Sequence, residues 1–180
     1  MKRITTIKGP EPMTLEIDIS VAAGPWPDEF PQAENAARLA AQAAFDTAAN
    51  ERGVGGNAEA ALVLADDEFV RCLNRDYRGR DEPTNVLSFA ALDGETVIQN
   101  PDPLAPVLLG DMIVAFETVV REAAAQGKAV ADHFSHLVVH AMLHLLGYDH
   151  ETADLAARME GMEIQILRGL GINDPYAEDE

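Results

Sequence analysis

Sulfur is nearly missing from this chain as a ligand: among 180 residues Cys72 is the only cysteine. That excludes an intrachain disulfide and any zinc site built from cysteines. No apolar run approaches the ~20 residues that a membrane span needs. The opening residues 1–13, MKRITTIKGPEPM, lack the long apolar stretch of a secretory leader. Basic residues are also scarce: 13 Lys and Arg stand against 31 Asp and Glu, a formal charge of −18. Such a balance argues against broad, non-specific binding to nucleic acid. The expectation is a soluble, cytoplasmic protein with no membrane attachment. What is present supports a packed core, because 47% of the residues are apolar, and the length fits one domain over residues 1–180.

Charge is unevenly spread. Residues 71–80 hold Arg71, Arg75, Arg78 and Arg80 against Asp76 alone, a patch that can hold an anionic partner. The rest of the chain reads as alternating strands and helices, with no internal repeat and no low-complexity linker. Residues 13–21 alternate apolar and polar, as a half-buried strand does. Pro25, Pro27 and Pro31 punctuate a turn, an Ala-rich helix spans 32–50, and Gly53, Gly55 and Gly56 end it. A second strand covers 58–65. Asp66 is placed to cap a helix that turns Phe69, Val70 and Leu73 inward and stops near Gly79. A short strand follows at 84–89. Residues 90–106 form a long loop with a short strand at 96–98, and a loop of that length in a compact domain is often functional. Residues 107–115 read as a buried strand and 117–126 as a helix closed by Gly127. Further helices span 132–146 and 152–168, and the tail 177–180 is expected to be loose. This mixture predicts an α+β domain, a small mixed sheet packed with several helices. Its strand order is not readable from spacing.

The densest chemistry lies in HAMLHLLGYDH, residues 140–150. His140 and His144 are four apart on a predicted helix, and four residues turn a helix by ~400°, so both rings share one face. Gly147 lets the chain leave the helix through a left-handed conformation, and the turn brings His150 back as a third ligand. Three imidazole nitrogens leave a fourth coordination place open, the arrangement of catalytic rather than structural zinc. One zinc ion per chain is the default, although nickel and copper accept the same ligand type. His136 lies four residues before His140 on the same face, as a ligand, a proton shuttle, a partner of the ligands or simply a polar residue near the helix start. His133 carries less. Asp149 either orients a ring through its free N–H or is a turn residue.

The spacing also matches zinc proteases with three histidines, but those need a glutamate directly after the first histidine as general base. Here that place holds Ala141, and alanine moves no protons. A metal-dependent hydrolase of peptides or small molecules is therefore disfavoured. RNA resolves the difficulty, since its 2′-hydroxyl is a built-in nucleophile; attack on the phosphate by zinc-bound hydroxide is the alternative. Either route builds negative charge that an arginine across the cleft would stabilise. Arg78 is the best placed, and spacing alone does not distinguish it from a solvated surface charge.

Three segments then act together: LNRDYRGRDEPTNVLSF at 73–89, LLGDMIVAFETVVREA at 108–123 and HLVVHAMLHLLGYDH at 136–150. In this order they resemble the YbeY family of bacterial endoribonucleases and ribosomal RNA maturation factors. The resemblance spans most of residues 60–170 and little of 1–57. It implies an α+β fold with the His-bearing helix beside a small sheet, zinc at His140, His144 and His150, and a catalytic requirement for Arg78. It implies cleavage of single-stranded RNA in maturing the 3′ end of small-subunit (16S) ribosomal RNA, and a part in ribosome quality control at the small subunit with other ribonucleases. Arg75 and Arg80 could add phosphate contacts beside Arg78. Two positions depart from the family pattern: Ala141 stands where Gly is usual and Ala90 where Pro is usual. Asn85 and Asp111 match it, with strand-edge structure as their expected role. A second hypothesis is a ribosome-binding assembly factor in which zinc mainly holds the fold.

Overall fold

The computed structural model describes residues 13–91 and 105–177. The expected strand at 96–98, most of the long loop and most of the tail lie outside these residues. Four strands, β1 (Thr14–Val21), β2 (Asn57–Ala65), β3 (Val86–Ala90) and β4 (Val107–Ala115), form one sheet in the order β1-β2-β4-β3. The β1–β2 and β2–β4 pairs are parallel and β3–β4 is antiparallel, so the sheet is mixed. Parallel neighbours need a crossover, and the helices supply it. They are α1 (Trp26–Glu29), α2 (Ala33–Ala48), α3 (Asp67–Arg78), α4 (Phe116–Ala125), α5 (Val130–Leu145) and α6 (Ala153–Gly169). The architecture is α+β, as the order of patterns requires.

The prolines at 25 and 27 do more than turn the chain. They frame the short α1, whose Trp26 is buried and donates its indole N–H to the Ala65 carbonyl at 2.8 Å. Helix α2 buries a stripe of small residues, Ala37, Ala40, Ala41, Ala44 and Ala48 with Phe45. Small side chains let it lie close against α5, and α5 is buried along most of its length. One core therefore joins the sheet, α2, α5 and α6. A smaller cluster sits under α3, built from Val70, Leu87 and Ile113.

Helix α3 begins where expected: the Asp66 carboxylate accepts from the Phe69 N–H at 2.8 Å. Phe69 itself, however, is 39% exposed. The inner face of α3 is centred on Val70 and Asn74, four apart, which leaves Phe69 at its rim. Strand β4 is less enclosed than its apolar composition suggests, with Leu108 59% exposed. A bulge between Leu108 and Gly110 explains the shift of register against β2. Gly110 has φ +128°, and a Cβ there would lie 2.1 Å from the Phe89 carbonyl oxygen, so the crossing of β3 and β4 admits no side chain. Asp111 belongs to β4, between β2 and β3. It is thus within the sheet rather than at its edge. Asn85 precedes the edge strand β3. Its side-chain oxygen accepts from the Val86 N–H at 2.7 Å.

Candidate metal centre

Three rings meet at the C-terminal end of α5. His140 and His144 project from the last turns of the helix. Gly147, at φ +82°, reverses the chain and carries His150 back. One nitrogen from each of the three lies within 4.8 Å of the others. The His140 and His144 Nε2 atoms are 3.1 Å apart. Ring centroids are separated by 4.6, 4.9 and 5.5 Å.

The donor set fits a cation. His140 Nδ1 is 2.8 Å from a Glu163 oxygen and His144 Nδ1 is 3.0 Å from the Tyr148 carbonyl oxygen. A carboxylate and a carbonyl only accept, so both Nδ1 atoms carry the proton. In the neutral rings both Nε2 lone pairs then face one another at contact distance. That arrangement is repulsive unless a positive charge lies between them. Burial keeps the His144 ring neutral: desolvation first, then the charges of His140 and His150, lower its pKa to about 4. An imidazole must be neutral to coordinate, and this one is held so.

Glu163 is the residue that spacing did not single out. It lies on α6, 1% exposed. One oxygen takes the His140 N–H, and the other takes His136 Nε2–H at 2.8 Å and the Tyr176 hydroxyl. Burial alone would push this carboxyl up, but the hydrogen bonds from His136, His140 and Tyr176 outweigh it and bring it down to about 2. Carboxylate–histidine pairs of this kind orient metal ligands and raise their basicity. The signal was present in the sequence as a charge in an apolar stripe. Met159, Ile166 and Leu167 are buried on the same face of α6, and Glu163 falls at i+4 from the first of them.

The other histidines sort themselves by contact. His136 stands beside the ligand group rather than in it and shares Glu163 with His140. His133 pairs with Glu122 at 2.8 Å, and burial lowers its pKa despite that carboxylate. Asp149 orients no ring. Its carboxylate accepts from the His150 backbone N–H at 2.6 Å, as a turn residue does. The turn has a second support that spacing did not reveal. Arg52 donates from Nε to the Leu146 carbonyl at 2.8 Å and from Nη2 to the Gly147 carbonyl at 3.0 Å, closing the end of α5. Its guanidinium and that of Arg158 lie 5.4 and 5.5 Å from the Tyr148 ring centre.

The three rings open into a cleft of about 380 Å³ that is lined as well by Arg78, Thr84, Asn85 and Ser88. Arg78 enters it from the last turn of α3, just before the left-handed Gly79. Asn85 is steadied by a 3.0 Å hydrogen bond to Glu122. Within the basic patch the arginines differ. Arg71 is tied to Glu68 and Asp81, and Arg75 to Asp76 at 2.8 Å. Among the described residues Arg78 and Arg80 form no ion pair. The structure thus brings Arg78 to the three histidines and leaves Arg75 and Arg80 outside the cleft lining.

Comparison with known proteins agrees with this geometry. Residues 28–171 match the family described as Endoribonuclease YbeY. A protein named Endoribonuclease YbeY from Paramagnetospirillum magneticum is 52% identical over 166 residues, covering 92% of this chain and 98% of its own length. One of the same name from Rhodospirillum rubrum is 53% identical over 170 residues, covering 93% of this chain and 83% of its own. The solution structure of TM1509 from Thermotoga maritima shares the fold, with a TM-score of 0.53 at 19% identity over 91% of this chain and all of that one. With a cleft holding three convergent imidazoles and a match of this length and identity, the chain belongs to the Endoribonuclease YbeY family.

Proposed function

We propose that the chain is a zinc-dependent endoribonuclease that cuts single-stranded RNA. Its cellular role is maturing the 3′ end of small-subunit (16S) ribosomal RNA and ribosome quality control at the small subunit in the cytoplasm, together with other ribonucleases. The observation that carries the reading is one cleft shared by His140, His144, His150 and Arg78. The relatives' printed name supports RNA as the substrate. When bound, zinc supplies Lewis acidity that draws charge from the phosphate oxygens.

The chain's own residues do the rest. His140 and His144 present Nε2 to the cation because Glu163 and the Tyr148 carbonyl hold their other nitrogens. Arg78 offers a forked donor that has no carboxylate partner among the described residues, and it stabilises the charge that grows on the phosphate as the bond breaks. Ala141, fully buried, stands where the three-histidine proteases need a glutamate, so peptide hydrolysis by that route lacks its general base. Arg80 adds an electrostatic contact to the RNA backbone outside the cleft, and Arg75 joins it only by giving up its pair with Asp76. Among the described residues no helix is long and apolar enough to cross a membrane.

Two variants test the assignment. His144→Ala should lose both bound zinc and RNA cutting, whereas Arg78→Ala should keep zinc and lose cutting by about 100-fold or more, the size of a missing charge-stabilising donor. Cutting by rigorously metal-free protein, or full activity in Arg78→Ala, would refute it.

A further inference from the structure

We propose that Tyr77 is the platform on which an unpaired RNA base stacks as the strand leaves the metal cleft, a nucleobase subsite that rests on the endoribonuclease reading above. Tyr77 is 70% exposed, a large aromatic ring standing mostly in water. It is not loose. Its ring packs edge-on with Phe89, centroids 5.3 Å apart and planes at 65°, and Phe89 is in turn packed on the small cluster under α3. The hydroxyl makes no hydrogen bond among the described residues, so the ring is not positioned for the sake of its polar end.

Its place in the fold points to RNA. The next residue, Arg78, lines the cleft, and so do Ser88 and Ala90 on either side of Phe89. Successive residues of a strand face opposite ways. Strand β3 therefore shows Ser88 and Ala90 to the metal cleft and Phe89 to Tyr77. Among the described residues β3 has a neighbour, β4, on one side only, and a chain leaving the cleft past Arg78 can turn over the other edge and meet the Tyr77 ring. Arg80, without an ion pair among the described residues, lies just beyond.

The chemistry of the surface favours stacking. The protein carries a charge of −18, and Arg71 and Arg75 are already paired with acids. Few cations remain to hold a polyanion there. A base offers an uncharged π face, and stacking on an aromatic ring is tolerant of base identity. It also requires a base free of its own helix. A duplex has none to give, so the subsite selects single-stranded over double-stranded RNA without reading sequence.

The test compares the full-length, zinc-loaded wild type with Tyr77→Leu, Tyr77→Phe and Tyr77→Trp. Leucine keeps an apolar contact with Phe89 but has no π face, and thermal melting checks that each variant is folded. Tyr77→Leu should raise KM for single-stranded RNA about tenfold, the weight of one stacked base, with kcat nearly unchanged. Phe and Trp should restore the wild-type KM. The Leu defect should persist as salt rises, because stacking releases no counterions. In an oligoribonucleotide with 2-aminopurine moved through successive positions, one position should be quenched by wild type and Trp and remain bright with Leu. A wild type that cuts RNA, beside a folded Leu variant with the same KM and the same quenching, overturns the subsite alone. Loss of kcat without change in KM does so as well. A wild type that neither binds nor cuts RNA overturns the subsite together with the reading it rests on.

Discussion

Removing Glu163 should weaken metal binding without touching a ligand. The carboxylate accepts from His140 Nδ1 at 2.8 Å, from His136 Nε2 at 2.8 Å and from the Tyr176 hydroxyl, at 1% exposure. In Glu163→Gln the amide oxygen can still accept from His140. The NH2 group then faces His136 and Tyr176. The tyrosine oxygen can accept it, and His136 can do so by moving its proton to Nδ1. Orientation of His140 survives while the full negative charge behind it is lost, so zinc affinity should fall about tenfold, the lower end for such a partner. In Glu163→Ala three donors lose their acceptor and His140 loses both charge and direction. The expected fall is about 100-fold, the upper end, with a loss of stability on the order of 1–3 kcal/mol for each buried group left unpaired. Competition against a chromophoric chelator measures the affinities. Nitrogen-15 spectra of the imidazoles separately report whether His140 still carries its proton on Nδ1. A folded Glu163→Ala protein with wild-type zinc affinity and an unchanged His140 tautomer would refute the reasoning.

Acid should destabilise the metal-free protein in two successive windows. The His144 pKa is lowered from 6.5 to about 4, chiefly by burial, and burial lowers His133 too. Each then binds its proton more readily unfolded than folded; for His144 the stability present above about pH 6.5 is lost as the pH falls toward about 4, and His133 adds a loss in the same direction. Glu163 follows: its carboxyl is lowered from 4.5 to about 2, and its contribution disappears as the pH falls through that lower range. Denaturant midpoints measured from neutral pH downward should decline from about pH 6.5, and a flat profile down to about pH 4 would count against both shifts. Gly147→Ala should also loosen the centre. A Cβ there would approach Arg52 Nη2 to 2.5 Å at a backbone φ of +82°. The left-handed strain alone costs about 1–2 kcal/mol, and the displaced turn carries His150, so melting temperature and zinc affinity should drop together. An unchanged zinc affinity would show that the turn does not set the position of His150.

The parts legible in the sequence were those fixed by local rules. Asp66 as a cap, Gly79 and Gly127 as helix ends, and the shared face of His140 and His144 all follow from spacing within a few residues. The misreadings came where a partner distant in the chain decides. Pro25 and Pro27 suggested only a turn, because the anchor that makes α1 worth forming is the Ala65 carbonyl, 39 residues away from Trp26. Phe69 looked inward by composition, but the tilt of α3 on β3 and β4 puts Val70 and Asn74 at the centre instead. Asp111 could not be assigned to the sheet interior before the strand order was known, since the chain order β3-β4 hides that β4 is inserted beside β2. The convergence of His140, His144 and His150 was readable as a local pattern. The long-range supports of the site were not: Glu163 reaches His140 across 23 residues, Arg52 the turn at Leu146 across 94, and Glu122 the cleft residue Asn85 across 37. Such contacts have no period to detect. Only Glu163 left a trace, as a charge where a helix stripe calls for an apolar residue.

The two walls of the cleft are built for different tasks. His140 and His144 belong to α5, which is packed against α2, α4, α6 and the sheet, while His150 stands on the turn beyond it, exposed. The arginine wall is the exposed end of α3, held by a glycine cap and a short connection to β3. Arg78 is exposed there, which suits the proposed contact with a substrate whose backbone position varies along a flexible strand. The acidic surface sharpens this division. With Arg71 and Arg75 engaged by carboxylates, neighbouring positive charge cannot hold RNA at random. Within the patch, Arg78 and Arg80 are the arginines left without an ion pair among the described residues. On the reading proposed above, a chain of charge −18 acts on a polyanion through a few unpaired arginines at and beside the cleft rather than through its surface at large.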